Sequence, residues 1–266
     1  MDHEIKQRLD AAYQFAVLAG KSTLDFFCAD DLEVEIKSDG SPLTKADQGA
    51  ERLLRERISD QFPHDGIVGE EFGESEGSND FRWVLDPIDG TKSFVCGVPL
   101  YGTMIGIERA GEAVIGSIYF PGLSEGMFAG IGGGAWHYRG DREPRRTSVS
   151  NKNRLEDAVL LTTDVPRFKK RDAHQQFDAL SRQVYLSRTW GDVYGYLLVA
   201  SARADIMIDP IMNVWDACAL LPIVNEAGGR FTDWQGQSRV DGGDGIGTNG
   251  HLHDAVLNAL NSASVA

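Results

Sequence analysis

Apolar positions in the first sixty residues recur at helical spacing. Ile5, Leu9, Ala12, Ala16 and Ala19, widened by Phe15 and Leu18, predict an amphipathic helix over residues 4–28. Asp39, Gly40, Ser41 and Pro42 read as a turn. Thr44 then reads as an N-cap, and Ala46, Ala50, Leu53, Leu54 and Ile58 form the inner face of a second helix. From Ile67 the period shortens towards two. Residues 81–85 read as a short apolar strand. Residues 102–108 and 113–120 are two strands joined through Ala110 and Gly111, and 127–130 is a further strand. A polar, basic connection follows at 141–154. The pattern then alternates: strand 158–163, helix 173–184, helix 194–204, strand 205–209. Helix 215–227 is closed by Gly228 and Gly229, and strand 245–249 and helix 252–261 end the series. Early strands and later alternation predict one domain, a layered α/β or α+β sandwich with two packed halves, about 1–145 and 146–266.

Composition changes this picture little. The 266 residues suffice for a well-buried core, and 42% hydrophobic with 25% charged residues is ordinary for a globular chain. No run of 18 apolar residues predicts a membrane span, and the first eight residues are too charged to open a signal peptide. Cys28, Cys96 and Cys218 lie far apart and form no CxxC pair, which favours a reducing cytoplasm. The net charge of −14 argues against a broad nucleic-acid face. It also opposes an anionic substrate, unless bound divalent cations reverse the local field.

Such cations have candidate ligands. Asp86, Pro87, Ile88, Asp89, Gly90 and Thr91 follow an apolar strand directly. Asp86 can bridge two cations and Asp89 can bind one, while Gly90 permits close backbone approach and Thr91 offers an N–H and a hydroxyl. Glu70, in a Gly-Glu-Glu run, is a further ligand candidate and a partner for water. Asp216 opens a late apolar helix. An aspartate there is also favoured by the helix dipole alone. Thr44 and Asp47 have the spacing of a capping box, with Asp in place of Glu or Gln, and a catalytic Asp47 is compatible with that. None of the six histidines lies in these motifs, so a histidine-centred phosphatase or a zinc hydrolase is poorly supported. There is no P-loop. Cys96 lacks the Cys-x5-Arg spacing of a thiol phosphatase, because residue 102 is Gly, and it reads as a packed thiol.

Three ordered motifs, at Gly69 to Glu71, Trp83 to Phe94 and Trp215 to Gly229, make the chain resemble the inositol monophosphatase family of Mg2+-dependent, lithium-sensitive phosphatases. The resemblance implies an αβαβα sandwich, a homodimer and two or three Mg2+ per site acting on a small phosphate ester. It assigns Glu70, Asp86, the Ile88 carbonyl, Asp89 and Asp216 to the metals. Gly90 and Thr91, with Asp89, go to the phosphate, and Thr91, Asp47 and Glu70 to activation of water. Asp209 falls where the family contacts the leaving group. The runs at 91–99, 188–196 and 209–216 are similar to the family's histidinol-phosphate phosphatases, whose substrate carries cationic groups that Asp192 and Asp209 could meet. Asp192 also suits a helix N-terminus. An inositol or sugar phosphatase and a non-catalytic binding protein are the alternatives.

Overall fold

Two sheets of unequal size frame the computed structural model, which describes residues 1–38 and 40–262. Asp39, part of the expected turn, lies outside the described residues. Helix α1 (His3–Thr23) starts where Asp2 accepts from the Ile5 N–H at 2.8 Å. It stops at Thr23, short of the expected 28, because the chain turns to put Phe27 against Phe94 and Tyr101 in a small separate cluster. Strands β1 (Val34–Ile36) and β2 (Pro42–Thr44) form a ribbon that the apolar pattern does not announce. Helix α2 (Lys45–Gln61) follows.

Next come β3 (Gly66–Gly69), β4 (Gly73–Ser75), β5 (Phe81–Asp89), the short α3 (Thr91–Val95), β6 (Gly102–Arg109), β7 (Glu112–Phe120), β8 (Glu125–Gly130), β9 (Ala135–Arg139) and β10 (Arg145–Arg146). Eight strands form the large sheet in the order β10-β9-β8-β7-β6-β5-β3-β4. The expected connection at 141–154 thus contains an edge strand, since β10 pairs with β9. Period-two alternation sorts the two faces. Trp83, Leu85, Ile105, Ile107, Ile115 and Tyr119 pack against α1 and α2. Met104, Ile118, Phe120 and Met127 face the other way.

The second half contributes β11 (Val159–Leu161), α4 (Val165–Lys170), α5 (His174–Ser181), β12 (Leu186–Arg188), α6 (Val193–Ala200), β13 (Ile206–Asp209), α7 (Val214–Ala217), α8 (Leu220–Glu226), β14 (Arg230–Thr232), β15 (Gly245–Thr248) and α9 (His253–Ser262). The small sheet runs β12-β11-β13-β15-β14. Leu197, Leu220 and Val224 of the middle helices fill the space between the sheets, meeting Met104 on one side and Met207 and Phe231 on the other. Phe168, Phe177, Val256 and Leu260 cover the outer face over Leu160, Ile206 and Ile208. The layers are αβαβα, as expected.

Two local readings need correction. The helix expected over 215–227 is two helices, α7 and α8, with a turn at Cys218 and Ala219. Pro222 has no N–H to donate, and its ring would strike the Cys218 carbonyl. This break lies against the sheet where Gly106 and Gly116 face each other on β6 and β7. A Cβ at Gly106 would strike Cys218, and one at Gly116 the Ala219 carbonyl. Cys96, read as packed, is exposed at the C-terminus of α3; Cys218 is the buried thiol.

Candidate active site

Residues three apart on a regular strand point to opposite faces. Asp86 and Asp89 escape that rule because β5 and β6 lose register between them, a bulge at Pro87 and Ile88. Pro87 is tolerated because β3 pairs with β5 only as far as Leu85, and its carbonyl accepts from the Thr103 hydroxyl at 2.8 Å. Both carboxylates therefore converge, and α7 brings Asp216 to them. One oxygen from each of Asp86, Asp89 and Asp216 lies within 4.8 Å of the others.

Each carboxylate is oriented by a backbone N–H. Asp86 accepts from Ile88 N at 3.1 Å, Asp89 from Val193 N at 2.5 Å and Asp216 from Asn213 N at 2.7 Å. Asp47 follows the same plan. Its Oδ2 accepts from Thr44 N at 2.7 Å and from the Thr44 hydroxyl at 2.6 Å, while its Oδ1 faces the Thr91 hydroxyl at 3.4 Å. Asp47 and Asp216 are each the third residue of a capping box, so capping and participation in the site coexist in both. The Thr91 hydroxyl also donates to the Ile88 carbonyl at 3.0 Å. Gly90 has φ of 84°, and a Cβ there would meet Asp192 Oδ2 at 2.7 Å, so both the turn and its neighbour require glycine.

Glu70 is placed from behind. Glu51, fully buried on α2, accepts from Glu71 N at 2.8 Å and Phe72 N at 3.2 Å and pairs with Arg55. That fixes the loop carrying Glu70, whose Oε1 accepts from Lys37 Nζ at 2.7 Å; Lys37 reaches Glu71 at the same distance.

The cluster is electrostatically unhappy by itself. Burial, then repulsion by Glu70, Asp89 and Asp216, pushes the Asp86 carboxyl well above the usual range. Burial and then Asp192 do the same to Asp89. Burial lifts Asp216 to about 7. Hard oxygen donors gathered in one buried place, each disfavoured as a bare anion, suit a divalent cation such as Mg2+.

A cleft of about 230 Å3 is lined by Asp86, Gly90, Thr91, Lys92, Arg167 and Asp192, the last of which lies beside Gly90. A smaller recess beside it reaches Asp209 and Tyr196. Asp192 precedes α6 but makes no side-chain cap bond; that helix end is bonded by Asp89 instead. Asp209 is held internally, accepting from Thr163 N and the Tyr196 hydroxyl, both at 3.1 Å, and burial raises it to about 6. Asp192, bonded to the Ser93 side chain and near Arg167 and Lys92, lines both the cleft and the recess, whereas Asp209 lines the recess alone. The sequence reading gave no role to Lys37, Arg167 or Asn213, and Trp215 entered it only as part of a motif. Lys37 reaches Glu70 only through the unforeseen β1–β2 ribbon, and Arg167 sits on a one-turn helix with no periodic signal.

Comparison with known proteins bears on the fold and on the class of reaction. The family model described as the inositol monophosphatase family matches residues 4–264. A histidinol-phosphatase of Chlorobaculum parvum is 42% identical over 90% of this chain and 90% of its own. One of Streptomyces coelicolor is 37% identical over 95% and 96%. Among solved structures, the extragenic suppressor protein suhB of Bartonella henselae superposes with a TM-score of 0.87 at 30% identity, covering 97% of this chain and 99% of that one.

Proposed function

We propose, from the premise that the chain belongs to the inositol monophosphatase family and is a phosphoric monoester hydrolase, that it hydrolyses histidinol phosphate to histidinol and phosphate with Mg2+. The observation that carries the chemistry is the convergence of Asp86, Asp89 and Asp216 beside Thr91 and Asp47. Glu70, Asp86, the Ile88 carbonyl, Asp89 and Asp216 would hold the metal. When bound, Mg2+ supplies charge neutralisation and a more acidic water. The protein's own groups do the rest. The Gly90 and Thr91 N–H groups hold phosphate oxygens. Thr91 Oγ1 takes the proton of the attacking water as it passes its own proton to Asp47 Oδ1, and Glu70 orients that water. Attack is in line, so the leaving alkoxide emerges on the opposite side, towards Asp192.

The substrate reading rests on Asp192 in that cleft and on the named relatives. Histidinol phosphate carries an ammonium and an imidazole, and Asp192 offers them a carboxylate without a capping task. Asp209 supports the recess behind it. The reading extends to two or three Mg2+ per site, a homodimer and a cytoplasmic location. No helix among the described residues is long and apolar enough to cross a membrane.

A panel of phosphate esters tests this on the wild type and on Asp192→Asn. The wild type should show its highest kcat/KM on histidinol phosphate. Loss of one charge-assisted bond, about 1.5–3 kcal/mol, should lower that value about 10- to 100-fold in the variant and leave glycerol phosphate nearly unchanged. Equal losses on both esters would refute cation recognition by Asp192. A wild type that prefers inositol phosphate would overturn the substrate.

A further inference from the structure

At the edge of the large sheet the charge balance of the molecule reverses. A second cleft, about 390 Å3, lies between β8, β9 and β10 and the C-terminal end of α6. It shares no lining residue with the catalytic cleft. Arg139, Arg142, Arg145 and Arg203 line it, with His137. Arg145 stands directly opposite His137 in the β9–β10 pair, and Arg139 is two residues along the same strand, so period two puts all three on one face.

The floor of this cleft is fixed. Glu125 is fully buried; its Oε1 lies 2.7 Å from His137 Nε2 and accepts from Arg203 Nη2 at 2.7 Å. Arg203 also lies over the Tyr194 ring, 5.9 Å from its centroid. The rim differs. Arg139, Arg142 and Arg145 have no carboxylate partner among the described residues, and unlike the other unpaired arginines, such as Arg52, Arg57 and Arg188, they line one concavity together. The carboxylates in the cleft are Glu125, already committed, and Glu143. Four guanidinium groups thus surround one concavity of a chain whose net charge is −14.

We propose that this cleft is a binding site for a small multivalent anion, an organic phosphate or a polycarboxylate. Three rim guanidiniums without partners present planar forks that match those oxyanions, and Arg203 adds a preset fourth. The concave shape and limited volume favour a small molecule. A nucleic acid or an anionic membrane would meet the acidic remainder of the surface.

Calorimetric titration of the full-length, EDTA-treated protein with pyrophosphate, and in parallel with citrate, tests the site. Chelation leaves the catalytic cleft with five carboxylates against Lys92 and Arg167, a balance that disfavours both probes. One saturable site per chain is expected for at least one probe. Arg142→Ala and Arg145→Ala should each weaken it about 10-fold or more, the scale of one charge-assisted bond. Both arginines are exposed, so an unchanged melting temperature should confirm intact folding. Binding of pyrophosphate alone points to a phosphate ligand, and binding of citrate alone to a polycarboxylate. No saturable binding of either, or unchanged affinity in the Arg142→Ala/Arg145→Ala double variant, overturns the proposal.

Discussion

Around the catalytic cleft the repeating unit is a carboxylate oriented by a backbone N–H. Asp47, Asp86, Asp89 and Asp216 all follow it. Residue type and position were legible for these four because their motifs are contiguous in the chain. The compatibility of capping with a place in the site is read for Asp47; what was not legible is which oxygen each task would use. Asp47 ties one oxygen to Thr44 and turns the other towards Thr91. Thr91→Ala should therefore leave the fold intact and cut turnover by about 10²-fold or more, the scale of a lost proton-transfer group. Asp47→Asn should cut it similarly, while one oxygen still serves the Thr44 backbone. Turnover per folded molecule, measured beside a melting curve, decides the matter. If Asp47→Asn lowers the melting temperature but spares turnover, Asp47 is a cap alone.

Among the elements, those with a strong period were legible and those set by a distant contact were not. α2 appears with its cap at Thr44, and the hairpin of β6 and β7 turns at Ala110 and Gly111. The β1–β2 ribbon and the break between α7 and α8 do not follow from apolar spacing. The first is exposed on β1, and the second arises from Pro222 and from the bare backbone at Gly106 and Gly116. That bare backbone sets how close α7, and with it Asp216, approaches the β5 loop. Gly116→Ala should push the Ala219 carbonyl away, lower stability by about 1–3 kcal/mol and raise the Mg2+ concentration needed for half-maximal activity. Gly49→Ala is the control. Gly49 lies in α2 with nothing near its Cβ position, and the change should stabilise by about 0.5–1 kcal/mol with no effect on Mg2+ dependence. Denaturant melts and Mg2+ titrations of both variants check the pair; unchanged Mg2+ dependence in a folded Gly116→Ala protein would remove α7 height from the explanation.

The whole molecule uses its two halves to bring acids of one sign together: Glu70, Asp86 and Asp89 from the large-sheet half, Asp192 and Asp216 from the other. Self-repulsion there makes stability depend on both pH and metal. Asp216 is raised from 3.8 to about 7, so the folded state holds a proton that the unfolded chain has released. Its contribution is present at acid pH and is lost as pH rises through about 7. Without metal, the melting temperature should fall across that window, and Mg2+ should restore it more at pH 8 than at pH 5.5, because a cation replaces the protons. An equal Mg2+ effect at both values would separate the metal from these carboxylates. The most direct measurement of all is hydrolysis of histidinol phosphate by chelator-treated protein before and after Mg2+ is added back. Turnover should vanish in EDTA and return with Mg2+, and Asp86→Asn should fail to recover it. Undiminished hydrolysis in excess EDTA would contradict the metal-based site outright.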